Sequence, residues 1–120
     1  MSRSPWLVLG GLVGASGVAA GAYGSHGLVK HVSDKSRLKN WRLGVEYQLI
    51  HSAPMVACAF LAPPFSHVAG LLFLGGVTMF SGGLCYTALT EDRRFIKLAP
   101  VGGSCYIAGW LVLALAKKRL

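Results

Sequence analysis

The chain has 120 residues, of which 53% are hydrophobic and only 13% charged, with twelve Lys+Arg, four Asp+Glu and a net charge of +8. A soluble domain carries about twice that charged share, and one of this length leaves about a third of its surface in water. The composition therefore excludes an ordinary soluble enzyme and points to one small membrane domain.

The positive balance does not point to nucleic acid, because the charges are segregated and no aromatic–basic interleaving accompanies them. Lys, Arg, Asp and Glu are absent from Ser4 to Val29, from Tyr47 to Thr90 and from Leu98 to Ala116. Basic residues bracketing apolar runs mark bilayer edges, and a spanning helix needs about 20 apolar residues. Four spans follow, at about 6–24, 43–62, 67–89 and 98–116, joined by short connections. The fold expected is all-α: an integral membrane up-down bundle of four transmembrane helices with Gly-rich packing seams.

The first span carries Gly10, Gly14, Gly17, Gly21 and Gly24. At about 100° per residue these five share a stripe roughly 80° wide. Lipid gives no hydrophobic reward for helix association, so a glycine face that lets another backbone come close is a packing signal. Arg3 is a weak leader signal and the chain starts at Met1, so this span is expected to be retained. His26 stands where it exits.

Lys30, Lys35, Arg37, Lys39 and Arg42 follow in a polar stretch expected to lie on the membrane surface against anionic lipid headgroups. The second span opens near here, with a wet basic first turn around Lys39. Glu46, Tyr47 and His51 sit along it, and Tyr47 and His51, four apart, share a face. Ala53/Ala57 is a faint small-residue pair. Pro63-Pro64 then breaks the chain and forces the second and third spans to be antiparallel neighbours. The third span repeats the seven-residue glycine spacing in Gly75/Gly82 and Gly76/Gly83, and offers Thr78 and Ser81 for interhelical hydrogen bonds. In the fourth, which opens near a tolerated Pro100, Gly102, Gly109 and Ala116 form a seam and Ser104 is a further hydroxyl. Trp6 and Trp41 are expected to be interfacial anchors, and Trp110 a packing or lipid-facing ring.

Eight basic residues (Lys30, Lys35, Arg37, Lys39, Arg42, Arg93, Arg94, Lys97) share one side, against Arg3, Lys117, Lys118 and Arg119 on the other. The asymmetry places both termini on the non-cytoplasmic, or non-matrix, side.

No catalytic constellation is visible: no nucleophile with a base, no phosphate loop, no paired carboxylates. Cys58, Cys85 and Cys105 fall on three spans without metal-site spacing, so neither metal nor cofactor is expected. The polar residues at membrane depth, His26, Glu46, Tyr47, His51 and Ser81, are the candidates for function. His26 and His51 both lean toward the basic side.

A family resemblance rests on ordered pieces: Gly21-Ala22-Tyr23-Gly24-Ser25-His26-Gly27, Tyr47-Gln48-Leu49-Ile50-His51-Ser52, Phe80-Ser81-Gly82-Gly83-Leu84, and Pro100-Val101-Gly102-Gly103 followed by Gly109-Trp110. In these the chain resembles the small four-span membrane proteins of the bacterial YgdD type, whose eukaryotic branch is the transmembrane protein 256 group. Cys85 stands where that pattern has tyrosine. Ala88-Leu89-Thr90 with Asp92, and Leu98-Ala99-Pro100, look more like the eukaryotic branch, and so imply a mitochondrial inner membrane. The family is one of unknown function and supplies no reaction.

The expectation is a non-catalytic integral membrane protein, an accessory or structural subunit of a larger mitochondrial inner-membrane, respiratory-chain assembly, whose partners are membrane lipids and other membrane subunits. Two alternatives stand beside it: a small ion, proton or solute transporter using Glu46 and His51, and a haem- or quinone-binding membrane protein.

Overall fold

The computed structural model describes residues 3–119. The described residues are mostly helical: α1 (Pro5–His26), α2 (Lys35–Ala57), α3 (Phe65–Gly76), α4 (Gly82–Thr90) and α5 (Leu98–Leu115). A π turn, Val77–Ser81, joins α3 to α4 without a break, so Phe65–Thr90 is one continuous span. Short 3-10 turns follow α1 (Leu28–Lys30) and α2 (Cys58–Phe60).

The ends of the helices follow from local chemistry. Ser4 caps α1 by accepting from the Trp6 N–H, with Pro5 in the first turn, where its missing donor costs nothing. Asp34 caps α2 by accepting from the Ser36 N–H at 2.9 Å. α4 ends on Glu91 in the left-handed region, φ 62°, and its last carbonyls are claimed by a side chain from elsewhere: Arg37 donates to Ala88 O at 2.9 Å and Leu89 O at 3.0 Å, and pairs with Glu91 at 3.1 Å. A cation at a helix C-terminus meets both the free carbonyls and the negative end of the helix dipole. Arg37 is thus a tie between two connections, not the headgroup contact expected of it. Lys30, Lys35, Lys39 and Arg42 are exposed.

Three segments are long and apolar enough to cross a bilayer: Pro5–Lys30, Phe65–Thr90 and Leu98–Leu115. The second helix differs from its expected bounds of 43–62. It starts at Lys35, and Lys35, Arg37, Lys39, Arg42 and Glu46 dilute its first half. Its stretch from Trp41 to Val56 nevertheless runs beside Gly10–Gly24 of α1, over about 20 Å at 1.5 Å per residue.

That pairing is one glycine ladder. A Cβ placed on Gly10 would meet Val56 Cγ2 at 2.7 Å, on Gly14 Ser52 Oγ at 3.4 Å, on Gly17 Leu49 Cδ2 at 2.8 Å, on Gly21 Val45 Cγ1 at 3.5 Å and on Gly24 Trp41 Nε1 at 2.6 Å. All five glycines of the stripe therefore face α2, in a falling register that makes the two helices antiparallel. Gln48 fastens the contact by donating to Val13 O at 3.0 Å and Ser16 Oγ at 2.9 Å.

The second seam lies between α3, the π turn and α5. Gly76 receives the ring of Tyr106, Gly109 the ring of Phe73, and Gly102 the backbone N of Phe80. Gly75 and Gly82 do not make this contact: Gly82 is exposed, and Gly75 has nothing closer than 3.7 Å. Gly76 and Gly83 are the buried pair. Gly44, not the exposed Ala53 and Ala57, is where α2 meets Ser81 and Cys85. Thr78 and Ser104 bond back to carbonyls of their own helices, Leu74 O and Pro100 O.

Trp6 and Trp41 are also not interfacial anchors. Trp6 is 4% exposed, lies on Gly70 and donates to His67 Nδ1 at 3.3 Å; Trp41 is 8% exposed and donates to Ala20 O at 3.0 Å. The tail folds back onto the α2–α3 connection, with the Ala62 N–H bonded to Lys117 O and the Arg119 N–H to Phe60 O, each at 2.8 Å. The start of α1, the end of α5 and the α2–α3 connection thus share one end of the bundle, and the α1–α2 and α4–α5 connections the other.

A methyl at position 102 would press on backbone. Gly102→Ala is expected to lower stability by about 1–3 kcal/mol, read by thermal unfolding in detergent. Gly11→Ala is the contrast. A Cβ there has nothing within 4 Å, so the change is expected to be neutral or, through helix propensity, stabilising by up to about 1 kcal/mol.

Candidate functional site

The seams place six rings together. Tyr47 and His51 come from α2, Phe73 from α3, Phe80 from the π turn, and Tyr106 and Trp110 from α5. His51, 4% exposed, is at the centre. Its ring stacks on Tyr106 with centroids 3.7 Å apart and planes 12° from parallel, and meets Trp110 edge-on at 5.8 Å. Tyr47 covers the outer side, 4.7 Å from Phe80. Glycine makes this possible: the rings of Tyr106 and Phe73 occupy the space that side chains at Gly76 and Gly109 would fill.

Both nitrogens of His51 are engaged. Nδ1 lies 2.6 Å from Tyr47 O, a carbonyl that can only accept, so Nδ1 carries the proton. Nε2 accepts the indole N–H of Trp110 at 3.0 Å. The two bonds together specify the neutral Nδ1–H tautomer. In this arrangement the ring has no spare lone pair for a metal or a haem iron. Below it, Ser81 and the Tyr106 hydroxyl share a buried bond of 2.9 Å.

A groove of about 440 Å³ opens beside the cluster, walled by Tyr47, His51, Phe80, Tyr106, Ile107 and Trp110, with Pro100, Gly103 and Ser104 at its edge. A second, of about 400 Å³, lies along α1 and α2 and includes Gly21, Gly24, Arg42 and Glu46.

The other polar candidates are not gathered here. His26 is exposed at the end of α1. With Gly24 facing Trp41 and Gly10 facing Val56, it is roughly 18 Å along the bundle from His51, about twelve residues of helix. Glu46 is exposed and belongs to the other groove. Among the described residues no group of three or more His, Cys, Asp and Glu is arranged to hold a metal ion, and the three cysteines are free. In the α4–α5 connection, the Arg94 N–H bonds Asp92 at 2.9 Å and holds its carboxyl below the usual range, helped by Tyr86 and the Arg94 charge.

Sequence reasoning did not find Gln48, Tyr106 or the bond from Trp110. Trp110 was visible as a polar-tipped ring within an apolar span, and a buried indole N–H usually finds a partner. Nothing in the local pattern named His51 as that partner, 59 residues away.

Comparison with known proteins fits this architecture. Residues 20–103 match a family described as a protein of unknown function, DUF423. The chain belongs to this family. A UPF0382 membrane protein of Staphylococcus epidermidis is 35% identical over 117 residues, 95% of each chain. The UPF0382 membrane protein YwdK of Bacillus subtilis is 32% identical over 119 residues, 95% of this chain and 96% of the relative. In Schizosaccharomyces pombe, the UPF0382 membrane protein C1782.12c is 38% identical over 109 residues, 85% of this chain and 92% of that one. No solved structure matches. The chain is therefore a membrane protein of a family without an assigned activity, found in bacteria and in yeast.

The tautomer of His51 is directly measurable. In protein labelled with 15N at histidine, NMR at neutral pH is expected to show one ring with a protonated Nδ1 and a bare, hydrogen-bonded Nε2. Trp110→Phe is expected to shift the Nε2 resonance. A doubly protonated His51 would contradict the bond from Trp110.

Proposed function

We propose that this protein is a non-catalytic integral membrane protein that acts by packing against other membrane subunits, as an accessory component of a larger inner-membrane assembly. The carrying observation is on α1. Its glycine stripe is consumed inside the bundle by α2, yet a second row of small residues runs along the outward face, between the exposed Val8, Leu12 and Val18. Gly11, Ala15, Ala19 and Ala22 are exposed, and the space around Gly11 is open. Small residues four and seven apart on a lipid-facing surface let a further helix approach closely. The engagement of both His51 nitrogens, and the roughly 18 Å between His26 and His51, support a packing role over relayed chemistry.

A mitochondrial inner membrane is the setting implied by Ala88–Asp92 and Leu98–Pro100. The similarity to staphylococcal and Bacillus proteins supports a bacterial membrane equally well. The excess of basic residues at the α1–α2 and α4–α5 end supports placing that end on the matrix or cytoplasmic side, with Lys30, Lys35, Lys39 and Arg42 against anionic headgroups.

The test is purification from the native membrane in mild detergent, followed by native electrophoresis. The protein is expected to migrate with other subunits. The double variant Gly11→Leu/Ala15→Leu is expected to fold with a melting temperature no lower than that of the wild type and to migrate alone. Wild-type protein that runs only as a monomer, or a double variant that retains its partners, would overturn the proposal.

A further inference from the structure

At the end of the bundle where the chain enters α1 and leaves α5 lies a cavity of about 240 Å³, walled by Arg3, Trp6, Ser66, His67 and Arg119 among others. Ser66 is 3% exposed, and its hydroxyl is, among the described residues, the buried side-chain polar atom with no hydrogen-bond partner. Buried polar groups are nearly always paired, so an orphan that lines a cavity marks a place for the oxygen of a water or a ligand.

The rest of the wall supplies donors. His67 Nδ1 accepts the Trp6 indole N–H at 3.3 Å, which puts the proton of the neutral ring on Nε2, a donor. Arg119 is held at the cavity by its own backbone, since its N–H is bonded to Phe60 O at 2.8 Å. Arg3 directly precedes the capped first turn of α1. The N-termini of α1 and α3 both end here, each bringing the positive end of a helix dipole.

Among the described residues, no acidic side chain belongs to this end. The four acidic residues are Asp34, Glu46, Glu91 and Asp92. They lie on α2 or in the connections at the opposite end. Two guanidinium groups, an imidazole N–H and a free hydroxyl, with no carboxylate side chain to neutralise them, match a tetrahedral oxyanion: guanidinium binds phosphate through paired, charge-assisted bonds.

We propose that this cavity binds a phosphate group, with Arg3, Arg119, Ser66 and His67 as its donors. The site is separate from the basic surface at the other end. Its place where three spans end puts it at headgroup depth, so the phosphate comes either from an anionic phospholipid or from solution.

The full-length protein in detergent would be melted in inorganic phosphate and in sodium chloride of equal ionic strength. In parallel, native mass spectrometry would follow its retention of phosphatidate from mixed phosphatidate–phosphatidylcholine micelles. Stabilisation by inorganic phosphate assigns the site to free phosphate. Preferential retention of phosphatidate without that stabilisation assigns it to a headgroup. Either result supports the proposal if Ser66→Ala and Arg119→Gln each weaken the binding about tenfold, the loss of one charge-assisted bond, while Arg93→Gln at the far end leaves it unchanged. Ser66→Ala removes an unpaired hydroxyl and is expected to fold at least as well as wild type. Binding of neither probe, or equal losses in Arg93→Gln and Arg119→Gln, would overturn it.

Discussion

Close backbone approach is the constraint on which the structure depends. Between helices in lipid there is no apolar surface to hide from water, so association draws on packing contacts and a few hydrogen bonds. A glycine gives up its own side chain so that a neighbour's can take the space. Here that exchange occurs along two seams. On one, Val56, Leu49 and Trp41 fill positions opposite Gly10, Gly17 and Gly24; on the other, Tyr106 and Phe73 fill those at Gly76 and Gly109. Hydrogen bonds then fix what the glycines allow. Gln48 latches α2 to α1, and the Ser81–Tyr106 bond joins the π turn to α5.

The same exchange builds the aromatic centre and the two ends. Without Gly76 and Gly109 the rings of Tyr106 and Phe73 would be pushed away from His51, and the indole of Trp110 would lose its acceptor. At one end Gly70 seats Trp6, which aligns His67 beside Ser66. At the other, Gly24 seats Trp41, and Arg37 draws the start of α2 against the end of α4. Glycine content and aromatic content in this chain are therefore two halves of one packing scheme.

Much of this was legible in the sequence, and its gaps have physical causes. Five glycines on a single helical face have few uses other than a close contact, so the α1 stripe was readable from periodicity alone. Its partner was not, because register between antiparallel helices is set by how the connection folds. On the third span, two glycine pairs share the same seven-residue spacing. Spacing gives a face but not its direction, and Gly76/Gly83 turns inward where Gly75/Gly82 does not. The π turn has no local signature. Tryptophans at span ends resemble lipid anchors until a glycine opposite makes room for the ring, as Gly70 does for Trp6. Arg37 resembled its basic neighbours, and only the tertiary fold brings helix carbonyls within its reach. The second helix starts four residues before the basic turn expected at Lys39 because Asp34 caps it well ahead of the apolar run.

The central claim, that α1 closes onto α2 of the same molecule through its glycine stripe, is most directly tested by cross-linking in the membrane. A Cβ at position 14 lies 3.6 Å from that of Ser52, within the range for a disulfide. With Cys58, Cys85 and Cys105 replaced by serine, Gly14→Cys/Ser52→Cys should form an intramolecular disulfide under mild oxidation, and Gly11→Cys/Ser52→Cys should not. A bridge found only between two copies of the chain, or formed equally well from position 11, would contradict the account.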